Sequence, residues 1–329
     1  MICVVSLAIF IYSKITYKNI VSKIIMHICF KCLKDIDPQD YLYGLHQACF
    51  SLWFNLSSHF FEFEDIVLRR DKSTSSVSIS TMNTSFFQGK FRKYSAKLDK
   101  HSYILKVQDD AYSELPLVEY LSNQIAQKMG LIVPNFYLIR FPNEINAKTA
   151  FVVRNFMEKY IPGNLIHIYH FVAEQSFSCK TIFNIIEKKV GRINALKQFV
   201  FMCLFDALIG NHDRHGRNIA LVETKKGYEL APFYDNPSYM GIEDQDFLLA
   251  KHNPRGKIAT SRNGEPTMHD YAIEFIEMGY KTWVEEFMKR VEQIHLDQLI
   301  AKSFLSDKRK KAFAALIAHR IEELKNACT

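Results

Sequence analysis

Between residues 193 and 218 the chain runs without a break from an apolar stretch into a dense polar one, and this junction narrows the folds open to it. Ile193, Leu196, Val200, Cys203, Leu204, Ala207 and Leu208 recur at helical spacing, which predicts a long helix with an apolar face. Gly210-Asn211 follows, a pair suited to end a helix in the left-handed conformation. The next seven residues, His212 to Asn218, hold two His, two Arg and an Asp. Charges at the end of a buried helix are costly unless the fold answers each one.

Asp213 stands five positions before Asn218, with His215 between them. Ile219–Val222 and Tyr228–Ala231 flank Lys225-Lys-Gly227 as a predicted hairpin. Tyr234-Asp235 follows the run Leu230-Ala-Pro-Phe at the exit of its second strand. One carboxylate can accept a proton, while an amide oxygen and a second carboxylate are hard ligands of the kind magnesium prefers. Phosphoryl transfer needs that set, and protein kinases place their base and magnesium ligands in this order. The plainer reading is a polar helix-to-strand connection capped at Gly210.

The 329 residues suffice for one large or two modest domains, and the 48% hydrophobic fraction is ordinary for a globular chain. The formal charge of +7 comes from scattered Lys and Arg, densest at Lys308–Lys311, which reads as a solvated helix face. A mildly basic surface attracts an anionic nucleotide or an acidic partner. Seven cysteines, an odd number, point to a reducing compartment and so to the cytoplasm. Val4–Tyr12 is apolar but too short to cross a bilayer before Lys14, so no membrane association is expected. Residues 1–25 are expected to be a non-native or disordered extension, with the working chain starting near Met26.

Residues 26–70 form a Cys/His segment. Cys29 and Cys32, then thirteen residues, then His46 and Cys49 make a pattern in which each short pair can offer two ligands to one Zn2+ ion. Otherwise the three cysteines are small buried hydrophobes. Residues 71–157 read as a small sheet with one helix. They open with a Ser/Thr-rich loop from Asp71 to Ser85, followed by strands at Phe86–Phe91 and Tyr94–Leu98. A further strand at Ser102–Val107 pairs across Asp99-Lys100, a helix runs from Pro116 to Gly130, and strands return at Phe136–Arg140 and Ala150–Arg154. Residues 158–329 are mostly helical, with helices expected near 270–279, 281–297 and 309–326. The predicted class is α+β.

Five motifs then recur in one order across roughly residues 80–325: Tyr103-Ile-Leu-Lys106, Val118-Glu-Tyr120, Gly130-Leu-Ile-Val-Pro134, the Asp213-x-His215-x-x-Asn218 segment and Leu230–Asp235. In these the chain resembles the HipA family of toxin serine/threonine kinases. With no counterpart of that family's N-terminal subdomain, it is most similar to the short, HipT-type members. The resemblance implies a two-lobed, protein-kinase-like fold with a small β-rich N-lobe and a larger helical C-lobe. It implies ATP and Mg2+ as cofactors and an aminoacyl-tRNA synthetase as protein substrate. It also implies two antitoxin partners, a small protein supplying the missing subdomain and a helix-turn-helix DNA-binding protein, so DNA would be met only indirectly.

Carried over by position, Lys106 would hold the nucleotide phosphates and Glu119 would orient it. Asp213 would be the catalytic base, His215 would brace its loop, and Asn218 and Asp235 would bind magnesium. Arg154, Asn155 and Phe156 would form the hinge that meets adenine through backbone groups. Ser85, Gln88 and Lys90 would belong to the phosphate-covering loop, where Phe86 replaces the family's glycine and so alters how closely backbone amides approach phosphate. Ser85, then Ser80 and Ser78, would be the sites of autophosphorylation. Two other readings fit the same residues: a phosphoinositide-type lipid kinase, and an inert kinase-like domain that serves as a zinc-dependent binding protein. The Leu230–Phe233 run favours the toxin family over the first, and the intact Asp213, Asn218 and Asp235 argue against the second.

Overall fold

A computed structural model of the protein describes residues 27–56, 62–69, 92–144, 146–172, 177–242 and 255–329. Ser78, Ser80, Ser85, Gln88, Lys90 and the expected strand at Phe86–Phe91 lie outside the described residues, as does the segment 1–25. The chain divides into two compact units, Met1–Glu62 with Ile139–Ala147, and Phe63–Leu138 with Lys148–Thr329. No helix among the described residues is long and apolar enough to cross a membrane.

The first unit is built from very short pieces. Strands β1 (His27–Ile28) and β2 (Asp35–Ile36) pair antiparallel, and so do β3 (Tyr41–Leu42) and β4 (Leu45–His46). Tyr43 and Gly44 join the second pair with φ of 52° and 79°, the positive values that a two-residue primed turn requires. Helix α1 (Gln47–Phe54) follows at once and stacks Phe50 against Tyr43, ring centroids 5.5 Å apart. Cys29, Phe30, Leu42, Leu45, Phe50 and Phe54 are buried. The Ile139–Ala147 piece joins this unit through backbone: Arg140 N–H donates to the Tyr43 carbonyl at 2.8 Å, and Tyr43 N–H donates to Asn143 Oδ1 at 2.7 Å.

The second unit opens with a five-stranded sheet in the order β5-β6-β7-β9-β8. Its strands are β5 (Glu64–Leu68), β6 (Arg92–Leu98), β7 (His101–Val107), β8 (Phe136–Phe141, counted in this unit as far as Leu138) and β9 (Lys148–Arg154). The β6–β7 hairpin turns at Asp99-Lys100 as expected, with Asp99 at φ 53°. Helix α2 (Leu115–Lys128) has Pro116 in its first turn and buries Val118, Leu121 and Ile125. Gly130 follows it at φ 77°, and a side chain there would collide with the Arg290 guanidinium.

Beyond β9 a three-stranded sheet, β10 (Asn164–His167), β11 (Ala220–Thr224) and β12 (Gly227–Leu230), accompanies the helices. They are α3 (Cys179–Lys189), α4 (Ile193–Ile209), α5 (Met268–Glu277), α6 (Lys281–Gln293), α7 (Leu296–Ala301) and α8 (Asp307–Cys328). Helix α4 is apolar around nearly its whole circumference, and α3, α5, α6 and α8 all pack on it, which places it at the centre of the core. Gly210 ends it at φ 69°. The class is α+β, as the sequence predicts. One expectation changes: the helix read over 281–297 is two helices, because His295 takes φ 47° and breaks the run after Gln293.

Candidate active site

Lys106 lies near the end of β7 and is only 5% exposed. A buried ammonium needs counter-charges, and two elements supply them. Glu119, from the first half of α2, accepts from Lys106 Nζ at 2.5 Å through Oε1. Asp235, beyond β12, accepts from the same ammonium through Oδ1. Burial works against the charge on Lys106, but the two carboxylates outweigh it and hold the amine well above its ordinary value. The acids divide unequally. Burial pushes Glu119 up against the pull of Lys106. Asp235, with a more open side chain, is drawn well below the usual carboxylate range because Lys106 overrides the effect of burial. Asp235 also takes φ 52°, a conformation that costs most residues of order 1 kcal/mol and recurs at functional sites.

Asp213 and Asn218 share the loop that leaves α4. The Asn211 side chain accepts from the Asp213 backbone N–H at 2.9 Å, and the Asp213 carbonyl accepts from His215 N–H and from Asn218 Nδ2, both at 2.8 Å. Asn218 thereby commits its NH2 group, so the oxygen is the amide atom that remains to meet a cation. His215 accepts from Arg217 N–H at 3.1 Å through Nδ1, so its neutral ring carries hydrogen on Nε2. That Nε2 is buried with no hydrogen-bond partner among the described residues. Burial takes the imidazole down to about 4, so it stays uncharged near neutral pH.

The residue that joins these parts is Arg214, 1% exposed, to which sequence reasoning assigned no role. Its Nε and Nη2 donate to Asp206 Oδ2 and Oδ1 at 2.8 and 2.9 Å. Nη1 donates to the carbonyls of Asn218 and Tyr234 at 3.1 and 2.7 Å. Nη2 also donates to Asn236 Oδ1 at 2.5 Å. Asn236 in turn donates to Asn123 Oδ1 at 3.0 Å, and Asn123 donates to the Glu119 carbonyl at 2.8 Å. One guanidinium thus holds the Asp213–Asn218 loop beside the Tyr234–Asp235 segment, and a file of amides continues to the helix that carries Glu119. Asp206, the one polar residue between Phe199 and Ile209 of the helix, was the available sequence signal.

The side chains of the three hinge candidates meet different partners. Phe156 stacks on Tyr234 with centroids 5.7 Å apart, next to Asp235. Asn155 is exposed, caps the short 3-10 turn Phe156–Tyr160 and donates its N–H to the Ser102 carbonyl at 2.8 Å. Arg154 instead lies against His101 and 3.5 Å from Glu158. Cys29, Cys32, His46 and Cys49 come together in the first unit.

The donor set fits a magnesium nucleotide. An ionised carboxylate at Asp235 and the Asn218 oxygen are hard donors. Lys106 engages one of the two Asp235 oxygens, and its own charge suits phosphate.

The HipA-like C-terminal domain family matches residues 77–310. The serine/threonine-protein kinase toxin HipA of Shewanella oneidensis is 22% identical over 192 residues, which is 50% of this chain and 43% of the toxin. The chain therefore spans less than half the length of that curated relative. Among solved structures, the Helicobacter pylori proinflammatory kinase CtkA is 16% identical with a TM-score of 0.59, over 80% of this chain and 95% of CtkA. That likeness shows a kinase-like fold. HipA of S. oneidensis, solved with HipB and operator DNA, is 19% identical with a TM-score of 0.47, over 69% of this chain and 57% of that one.

Proposed function

The chain belongs to the HipA-like C-terminal domain family, and from that premise we propose that it is an ATP- and magnesium-dependent serine/threonine protein kinase, the toxin of a toxin–antitoxin system. One observation carries the reading: Arg214 Nη1 bonds the carbonyls of both Asn218 and Tyr234, which brings the proposed base loop and the proposed metal segment to one buried cation.

Each residue then has a task. Asp213 accepts the proton of the attacking serine or threonine hydroxyl, its backbone secured on both sides by Asn211 and Asn218. Lys106 binds phosphate oxygens and keeps its charge because Glu119 and Asp235 flank it. Asn218 and Asp235 hold magnesium through oxygen. Bound magnesium supplies neutralisation of the charge that grows on the phosphate oxygens during transfer. His215, buried and neutral, braces the loop rather than moving protons. Phe156 borders the nucleotide from the hinge side through its stack on Tyr234.

On the family resemblance the protein substrate is an aminoacyl-tRNA synthetase. The restraining partners are a small antitoxin that supplies the N-terminal subdomain and a DNA-binding antitoxin. Ser85, Ser80 and Ser78 are the sites of autophosphorylation. The test is labelling of a cell extract with radioactive ATP, followed by mass spectrometry of the labelled band. The expected result is one labelled protein besides the kinase itself, with labelling lowered roughly 100- to 10,000-fold in Asp213→Ala, the usual worth of a positioned base. Equal labelling by Asp213→Ala would remove this mechanism, and label found only in phosphoinositide would replace the protein substrate with a lipid.

A further inference from the structure

Three thiols and an imidazole in the first unit have no part in phosphoryl transfer, yet they converge. The ligand atoms of Cys29, Cys32, His46 and Cys49 all lie within 4.8 Å of one another. From this geometry we infer that the first unit is built around a structural zinc ion held by the sulfurs of Cys29, Cys32 and Cys49 and by Nδ1 of His46.

Spacing is the first argument. Zinc bonds of about 2.3 Å to sulfur and 2.0–2.1 Å to nitrogen, set tetrahedrally, separate neighbouring ligand atoms by about 3.5–4 Å. The Cys32 sulfur already stands 3.4 Å from His46 Nδ1.

The histidine tautomer is the second. His46 Nε2 lies 2.9 Å from the Asp35 carbonyl oxygen. A carbonyl only accepts, so Nε2 carries the hydrogen and Nδ1 turns its lone pair to the three sulfurs. A metal-binding histidine is characteristically fixed in this way, its far nitrogen donating to a carbonyl or carboxylate. A histidine that merely filled space among thiols would not need this arrangement.

The backbone is the third. Leu33 N–H donates to the Cys29 carbonyl and Cys29 N–H to the Lys34 carbonyl, both at 2.9 Å, with Leu33 at φ 62°. This knuckle carries Cys29 and Cys32 on one tight turn. His46 ends β4 and Cys49 sits in the first turn of α1, so strand and helix present the other two ligands together. All four cysteine and histidine positions are thus set by local backbone. None of these cysteines is in a disulfide.

Size is the fourth. Among the described residues, four two-residue strands and one eight-residue helix enclose a small apolar core. Below about 70–80 residues a single apolar core rarely suffices, and a metal or disulfide is the usual staple. Three thiolates with an imidazole select zinc over magnesium, and four protein ligands close the shell, which marks a structural rather than catalytic ion.

The experiment measures metals in the full-length chain, purified without chelator, by inductively coupled plasma mass spectrometry. About one zinc per chain is expected, as for a closed four-ligand site. Cys32→Ser and Cys49→Ser should lose it, while Asp213→Ala should keep it. Titrating the wild-type thiols with an organomercurial should release the zinc in step. Reconstitution of the wild-type chain with cobalt should give thiolate-to-cobalt charge transfer and the intense visible bands of a tetrahedral ion, a readout that needs no variant to fold. A chain that takes up neither zinc nor tetrahedral cobalt overturns the proposal, as does zinc retained in full by Cys29→Ser/Cys32→Ser. Phosphotransfer is a separate readout, so either conclusion can fail without the other.

Discussion

Arg214 and Asp206 face each other through two parallel hydrogen bonds of 2.8 and 2.9 Å, in a place where the two side chains are only 1% and 4% exposed. Asp206 belongs to the most deeply buried helix of the second unit, and Arg214 is the immediate neighbour of Asp213. A loop that would otherwise be a flexible connection is thereby bolted to the core.

Arg214→Met should leave Asp206 buried without a counter-charge. Breaking a buried pair in this way costs about 3–5 kcal/mol, readable as a shift of the urea unfolding midpoint. Arg214→Lys keeps the charge, but a single ammonium cannot serve Asp206, Asn218, Tyr234 and Asn236 together. We expect it to lower kcat at least about tenfold, with KM for ATP less affected, because misplaced groups cost rate. A Lys variant with wild-type kcat would show that the guanidinium does not position the loop.

Lys106→Ala and Glu119→Gln should separate. The first leaves two carboxylates facing each other without the ammonium, Glu119 fully buried. We expect phosphotransfer to fall by at least about 100-fold and stability by about 1–3 kcal/mol. Glu119→Gln keeps the shape and one acceptor, so stability should change by less than about 1 kcal/mol and activity should fall less steeply. Paired kinetics and denaturant curves decide it; equal losses from both variants would contradict the unequal roles.

His215 predicts a pH signature. The unfolded imidazole titrates near its ordinary value of about 6.5, while burial holds the folded one at about 4. The unfolded chain therefore binds a proton first, and stability present above pH 6.5 is lost as the pH falls towards 4. Between pH 7 and 5 the loss from this residue is about 2 kcal/mol. His215→Asn should flatten the thermal-stability profile over that range, relative to the wild type; an unchanged slope would show that His215 does not set it.

Removing the proposed zinc with a strong chelator should undo the knuckle. Hydrogen exchange measured by mass spectrometry should then lose protection in peptides covering residues 27–54, where the Cys29 and Leu33 amides are bonded. Protection in 193–209 should stay as it was. Unchanged protection at 27–54 after chelation would argue against a metal.

Much was legible in the chain before folding. The β6–β7 hairpin, the start of α2 at Pro116 and the end of α4 at Gly210 obey rules that act over a few residues. The Asp213–Asn218 spacing is likewise a short-range feature, and both residues lie in one hydrogen-bonded loop. Helix α3 and strand β5 drew no expectation, and the break at His295 was missed, since that residue's left-handed backbone has no glycine to announce it.

The amino-acid order alone determined which acids, amides, thiols and imidazole stand at which spacing, because caps, turns and helical period depend on near neighbours. Folding alone decided that Asn123, Asp206, Arg214 and Asn236 form one buried file, and that Lys106 answers both Glu119 and Asp235. Those partners lie up to 129 positions apart. Only a closed core, where an unpaired charge is expensive, brings them to the same few ångströms.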